Sequence, residues 1–160
     1  TAYTVFLTIS TGIGGGVVVN GQPLLGLAGH FGLIRGPTHG QAPLEDVVSG
    51  RWMAAEAART GHPAEAPEIF QKAREGTDWA EAIVAQSAAR VALLCRDIQM
   101  MFAPKRIVIG GGIGLAPGYL EAVRAQLAGL APHLAPHRVA ASLGPHAGII
   151  GAADLAGRQR

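Results

Sequence analysis

The run Thr8-Ile9-Ser10-Thr11-Gly12-Ile13-Gly14-Gly15-Gly16 is the segment whose residue types and spacing most directly suggest chemistry. An apolar strand that ends in Ser-Thr and turns through glycines can aim successive backbone N–H groups at one oxyanion, with a Thr hydroxyl as a further donor. Glycine suits such a turn because no Cβ stands between backbone and phosphate. The run is not a Walker phosphate loop, since no Gly-Lys-Ser/Thr follows it. It is a poor dinucleotide fingerprint as well, because Val17 to Val19 continues as strand where a helix should begin. The reading without a ligand is a glycine-rich hairpin bulge. A second run, Ile109-Gly110-Gly111-Gly112-Ile113-Gly114, falls between a strand and a helix. An open α/β sheet places its ligands there, beyond the carboxyl ends of the strands, although a helix packed closely on its strand would use the same glycines. Two such runs in one small domain point together to a nucleotide.

The elements that must position these runs follow from periodicity and punctuation. Tyr3 to Ser10 is apolar and β-branched, a buried strand, and Val17 to Val19 is its expected partner across the glycines. Asn20-Gly21 is a hairpin turn, with Gln22 to Leu25 returning as the next strand. Gly26 to Pro43, rich in Gly, Pro and His, reads as an irregular loop. From Leu44 the pattern turns helical, through Trp52, Met53, Ala55 and Ala58, and Gly61-His62-Pro63 ends it. Pro67 opens a short helix that runs through Glu75 and closes at Gly76. Asp78 starts a long helix to about Phe102, stopped by Pro104. Its Trp79, Ile83, Val84, Ala88, Val91, Leu94, Cys95, Ile98 and Met101 follow the three-four spacing of one buried face. Arg106 to Ile109 is a short, continuously apolar strand of the kind found in parallel sheets covered on both faces. A helix from Pro117 to about Leu130, a strand near Val139 to Leu143 and a last helix from Ala147 or Gly148 to Ala156 complete an α/β order.

Composition bounds the function. At 160 residues, 49% hydrophobic and 15% charged, the chain can bury the core of one domain. A net charge of +2, without charge blocks, argues against a nucleic-acid partner. The single cysteine, Cys95, excludes an internal disulfide and fits a reducing cytoplasm. No segment approaches the roughly 18 apolar residues of a membrane span, and the mean hydropathy is +0.27. The sequence opens at Thr1 without Met and runs directly into a strand, so an amino-terminal portion is expected to precede it.

Ser10 to Gly16, Leu27-Ala28-Gly29-His30-Phe31-Gly32, Leu44-Glu45 with Ser49-Gly50, Gly110 to Gly112 and Ala147-Gly148-Ile149-Ile150-Gly151-Ala152-Ala153 occur in the order seen in the ROK family of repressors, open reading frames and sugar kinases. The chain resembles the second half of such proteins over nearly its whole length. Leu27 to His30, Pro37-Thr38-His39-Gly40 and Gly114 to Leu120 look most like bacterial N-acetylmannosamine kinases. The resemblance implies an α/β, actin-like (ribonuclease H-like) ATPase lobe, a mixed sheet flanked by helices, with residues 1–160 as the carboxy-terminal lobe. It implies ATP with Mg²⁺, the β- and γ-phosphates held by Thr11, Gly12, Gly14, Gly15 and Gly16, and Gly110, Gly111 and Gly112 beside the adenosine. His30 and Glu45 fall where the family contacts the sugar; a capping Glu45 and an exposed loop His30 are the plainer alternatives. The expected partners are a small-molecule sugar, the protein's own amino-terminal lobe and further copies in a homo-oligomer, with no nucleic acid and no membrane.

The departures from the family pattern are equally specific. Leu33 stands where relatives carry a zinc-binding His, and Ile34 to Pro43 is a shortened loop without cysteine. A structural zinc needs about four ligands, so no structural zinc is expected, and no metal-ligating residue is assigned. No catalytic residue is assigned within the chain either. The family's catalytic Asp belongs to the amino-terminal lobe, and Asp46, Asp78, Asp97 and Asp154 read as helix-end or exposed-face residues. The lobe alone is therefore expected not to turn over. The alternatives to a carbohydrate kinase are a non-enzymatic ROK-type sugar sensor and a degenerate, kinase-like binding subunit.

Overall fold

The structure, a computed structural model, describes residues 2–25 and 29–158. Alternation in the first strand sets the layers. In β1 (Tyr3–Ile9), Val5, Leu7 and Ile9 are fully buried while Thr4, Phe6 and Thr8 on the opposite face are half-buried. β1 pairs antiparallel with β2 (Ile13–Val19), setting Leu7 against Gly15 and Ile9 against Ile13. Positive φ at Asn20 (50°) and Gly21 (82°) then reverses the chain into β3 (Gln22–Pro23), as the Asn-Gly pair requires. β3 is shorter than expected. The Leu24 N–H still donates to Val17 O at 2.8 Å, but Leu25 is 88% exposed and has no surface to pack on.

A loop with single 3-10 turns at Phe31–Leu33, Pro37–His39 and Leu44–Val47 leads to the helices. α1 (Gly50–Arg59) begins later than the helical pattern from Leu44 suggests. Val48 leaves the helical region (φ −134°), and the buried Ser49 hydroxyl then accepts the Trp52 N–H at 3.4 Å as an N-cap. α2 (Ala66–Arg74) has Pro67 in its first turn, and the left-handed Gly76 (φ 80°) ends it. α3 (Asp78–Phe102) runs the full predicted length. Ile83, Ala88, Val91, Leu94, Cys95 and Ile98 are buried along it, and Val84 is half-buried at the margin. Half-buried Trp79 stacks on His62 with ring centroids 4.7 Å apart. Met101, expected on the buried face, is exposed, because the core along this helix ends at Ile98 and half-buried Phe102.

β4 (Arg106–Gly110) joins β1 in parallel, and β5 (Arg138–Ala140) joins β4 in parallel, giving a mixed sheet in the order β3-β2-β1-β4-β5. Between these strands lie α4 (Gly111–Gly114) and α5 (Tyr119–Ala125), and α6 (Ala147–Arg158) follows them. The predicted Pro117–Leu130 helix is cut at both ends. Gly118 (φ 85°) cannot continue a helix from Pro117, and beyond Ala125 the chain tightens into three-residue turns such as Leu127 N–H to Arg124 O. β5 also begins and ends earlier than the expected Val139–Leu143.

One apolar cluster unites Leu7, Ile9, Ile107 and Ile109 with α1, α2, α3 and α5 on one face of the sheet. Tyr119 is fully buried there; its hydroxyl meets Ser87 Oγ at 2.7 Å, and Ser87 Oγ donates to Val48 O at 2.8 Å. The other face is not covered as the apolar run of β4 suggests. Among the described residues, half-buried Phe6 and Val108 look into a groove of about 500 Å³ under α6, which has no buried residue of its own. No helix of the described residues is long and apolar enough to cross a membrane.

Candidate active site

The turn between β1 and β2 is tighter than the glycine run suggests. The Ser10 N–H donates to Gly12 O at 2.9 Å, so Ser10-Thr11-Gly12 makes the whole reversal. Gly14, Gly15 and Gly16 lie inside β2, opposite Thr8, Leu7 and Phe6. Gly15 is required by close packing. A Cβ there would sit 2.8 Å from the Phe31 ring and clash with Phe6 O, and a Cβ on Gly29 would clash with Gly15 O. The segment carrying His30 thus runs directly across β2, and Gly15 makes room for it. Gly14 would bring a Cβ 3.4 Å from Thr8 Cγ2, and Gly16 faces open space.

Two long-range bonds pin the turn. The Gly50 N–H at the start of α1 donates to Ser10 O at 2.9 Å, and the Ile13 N–H donates to Glu45 Oε2 at 3.2 Å. Glu45 is half-buried in the 3-10 turn ahead of α1 and does not cap that helix; Ser49 does. His30 is exposed at the entrance to the Phe31–Leu33 turn. Leu27 and Ala28, part of the same motif, lie outside the described residues.

The second glycine run divides in the same way. A Cβ on Gly110 would lie 3.0 Å from Phe6 Cζ. Gly111 has φ 84° and would drive a Cβ onto the Ile9 backbone. These two let the strand end and the helix start approach β1. Gly112 is exposed with nothing near it, free to meet a ligand.

Ser10, Thr11 and Gly112 share one cleft of about 830 Å³, walled by the start of α1, by α2 along its length and by the α4–α5 connection. Its apolar surface comes from Ala54, Phe70, Ile113, Leu115, Ala116 and Pro117; Arg51, Arg74 and Glu65 supply charge. Arg51 also pairs with Asp46 at 3.0 Å. A cleft of this size, lined by apolar side chains together with two hydroxyls, backbone and two guanidinium groups, suits a ligand with a flat ring and a charged tail. Of the residues expected at the nucleotide, only Thr11 and Gly112 line it; Gly12 completes the turn beside Glu45, Gly15, Gly110 and Gly111 serve close packing, and Gly14 and Gly16 lie uncrowded in β2. Arg51, Phe70 and Arg74 were not foreseen, because on amphipathic helices such positions read as solvated face or core.

The family model for the ROK family matches residues 1–159. This chain belongs to the ROK family. A bifunctional enzyme NanE/NanK of Brucella melitensis is 43% identical over 157 residues, 95% of this chain and 30% of that protein. An N-acetylmannosamine kinase of Salmonella arizonae is 42% identical, over 95% of this chain and 56% of that protein. Among solved structures, a ROK family glucokinase of Streptomyces griseus in complex with glucose and AMPPNP superposes with a TM-score of 0.83 at 26% identity, over 96% of this chain and 60% of that one. A ROK hexokinase of Thermus thermophilus gives 0.79 at 34% identity, over 94% of this chain and 55% of that one. The chain therefore has the actin-like ATPase fold, and it spans about half the length, or less, of the curated relatives it matches.

A structural zinc would need about four donors. Leu33 is exposed, Cys95 is buried on α3, and among the described residues no group of three or more His, Cys, Asp or Glu could hold a metal ion. Burial pushes the Cys95 thiol up to about 12, away from the thiolate a metal would need. Mg²⁺ finds no protein cage either. Ser10 and Thr11 hydroxyls and the Glu65 carboxylate line the cleft, so such an ion would have to be held largely by a ligand's own phosphates. Asp46, Asp78, Asp97 and Asp154 are all exposed and outside the cleft.

Proposed function

We propose that this chain is the carboxy-terminal lobe of an ATP-dependent sugar kinase that phosphorylates N-acetylmannosamine or a related hexosamine or hexose. The observation that carries the reading is the cleft that Ser10, Thr11 and Gly112 line together with apolar side chains. Phosphoryl transfer is mainly positioning and charge stabilisation. The Ser10 and Thr11 hydroxyls and the backbone at Gly12 would receive the β- and γ-phosphates, with Arg51 and Arg74 adding positive charge. Gly112 lets the base approach the start of α4, against Phe70 and Ala116. Mg²⁺ would supply charge neutralisation on the phosphates when bound with them. His30 and Glu45 would hold the sugar hydroxyls, an imidazole and a carboxylate being able to fix several at once. The carboxylate that deprotonates the acceptor hydroxyl is assigned to an amino-terminal lobe, since no Asp of this chain lines the cleft. The choice of sugar is supported by the likeness to the N-acetylmannosamine kinase of Salmonella arizonae.

The test is a coupled ADP-release assay on the intact protein with N-acetylmannosamine, N-acetylglucosamine, mannose and glucose, beside calorimetric titration of AMPPNP. Sugar-dependent ADP release, greatest for N-acetylmannosamine, is expected. Sugar binding with neither AMPPNP binding nor turnover would replace the kinase by a sugar sensor.

A further inference from the structure

We infer that Glu45 is a positioning residue that couples the two ligand sites, so that sugar and nucleotide bind cooperatively through one carboxylate oxygen. The inference rests on the kinase reading above and goes beyond it, to the regulation of one subsite by the other. Glu45 Oε2 accepts the Ile13 N–H at 3.2 Å, on the first residue after the Ser10-Thr11-Gly12 turn. The same oxygen is the atom that a Cβ on Gly12 would meet at 2.8 Å and a Cβ on Gly32 at 2.6 Å. One carboxylate oxygen is therefore enclosed between the phosphate turn on one side and the His30 loop on the other. The loop cannot shift independently, because Gly29 and Phe31 rest on Gly15 of β2 and Gly32 on Ile13 O. Among the described residues the hydrogen bond that Glu45 accepts goes to Oε2, and Oε1 is the oxygen that would meet a sugar hydroxyl.

The consequence is thermodynamic. A hydroxyl that binds Oε1 fixes the carboxylate, and a fixed carboxylate holds the Ile13 N–H and the turn in one position. The turn then loses less freedom when phosphate arrives, and by linkage nucleotide must raise sugar affinity by the same factor. Gly12 and Gly32 matter in a way that neither subsite alone explains. A methyl at Gly12 displaces Oε2 and so disturbs the sugar contact from the phosphate side; a methyl at Gly32 disturbs the turn from the sugar side.

The experiment titrates AMPPNP into the intact protein with and without saturating N-acetylmannosamine, then repeats it for Glu45→Ala, Glu45→Gln, Gly12→Ala and Gly32→Ala. Wild type should bind AMPPNP at least about fivefold more tightly with sugar present, within the usual range of site coupling. Glu45→Ala should weaken AMPPNP binding even without sugar and abolish the enhancement. Glu45→Gln, whose amide oxygen can still accept the Ile13 N–H, should retain the sugar-free nucleotide affinity. Gly12→Ala should raise the KM for sugar and Gly32→Ala the KM for ATP, with unfolding midpoints that show folded protein. If Glu45→Ala fails to fold, the two glycine variants decide. Wild type that binds both ligands with no mutual enhancement, or crossed KM effects absent from both glycine variants, overturns the coupling and leaves the kinase reading standing. Wild type that binds neither ligand removes both.

Discussion

Replacing Gly15 and Gly16 separately by alanine distinguishes a packing glycine from a merely small residue. Both lie in β2, one position apart. At Gly15 a methyl would come within 2.8 and 2.9 Å of two Phe31 ring carbons and would also clash with Phe6 O. Neither neighbour yields easily. Phe31 is 8% exposed and part of the core, and Phe6 O belongs to β1. Overpacking of this kind costs about 1–3 kcal/mol. At Gly16 nothing lies within 4 Å of the added carbon. The lower backbone entropy of an unfolded alanine chain should then leave that variant neutral or more stable by about 0.4–1 kcal/mol. For a domain of this size, about 2–4 °C per kcal/mol translates the Gly15 cost into a fall of roughly 2–12 °C. Differential scanning calorimetry of the intact protein reads the shift, diluted if further domains unfold with it. Because Phe31 adjoins His30, Gly15→Ala should also raise the sugar KM, whereas Gly16→Ala should leave it alone. Equal midpoints for the two variants would refute the packing argument.

Three further outcomes follow from other parts of the fold. Ser87→Ala should cost about 1–3 kcal/mol, because it strips Val48 O and the buried Tyr119 hydroxyl of a shared partner; adding Tyr119→Phe should cost less than the sum of the single changes in a urea double-mutant cycle. Burial pushes Cys95 from 9.0 to about 12 and moves the Tyr119 phenol upward as well, so the fold keeps protons that the unfolded chain loses. Stability should thus be level below about pH 9 and fall above it, by at most about 1.4 kcal/mol per pH unit for each group, and Cys95→Ala should flatten part of that fall in urea titrations between pH 7 and 10.5. A zinc-selective chelator, with Mg²⁺ in excess, should leave sugar phosphorylation unchanged; activity lost to it and restored by zinc would show that the shortened loop still carries metal.

The elements most legible in the sequence were those whose limits are set by local chemistry. α3 keeps its predicted bounds because three-four spacing persists until Pro104. α2 is bracketed by Pro67 and left-handed Gly76. The glycines were harder. A run such as Gly14-Gly15-Gly16 satisfies a phosphate turn and a crowded strand equally well. What decides is Phe31, sixteen residues beyond Gly15, a contact no local pattern reports. The cleft was half legible for a similar reason. Thr11 and Gly112 stand at strand ends, where ligands are expected, but Arg51 reaches the cleft because Gly50 N–H docks α1 on Ser10 O, and Phe70 reaches it from the neighbouring α2.

The loop from Ile34 to Pro43 holds the Phe31–Leu33 and Leu44–Val47 turns together through its own backbone. Here Arg35 and Pro43 form an antiparallel bridge, the Leu44 N–H donates to Ile34 O at 2.9 Å, and Arg35 Nη1 donates to Gln41 O at 2.7 Å. Gly40 and Gln41, both at positive φ, supply the reversal. A closed segment of this length pays little loop entropy, and Pro37 and Pro43 have already restricted the unfolded chain. Backbone pairing at its base delivers Leu44 into the core, and with it Glu45 against the Ser10-Thr11-Gly12 turn, where it accepts the Ile13 N–H. The carboxylate is thus positioned by hydrogen bonds that need no ion, and what the shortened loop must preserve is the Ile34–Leu44 closure.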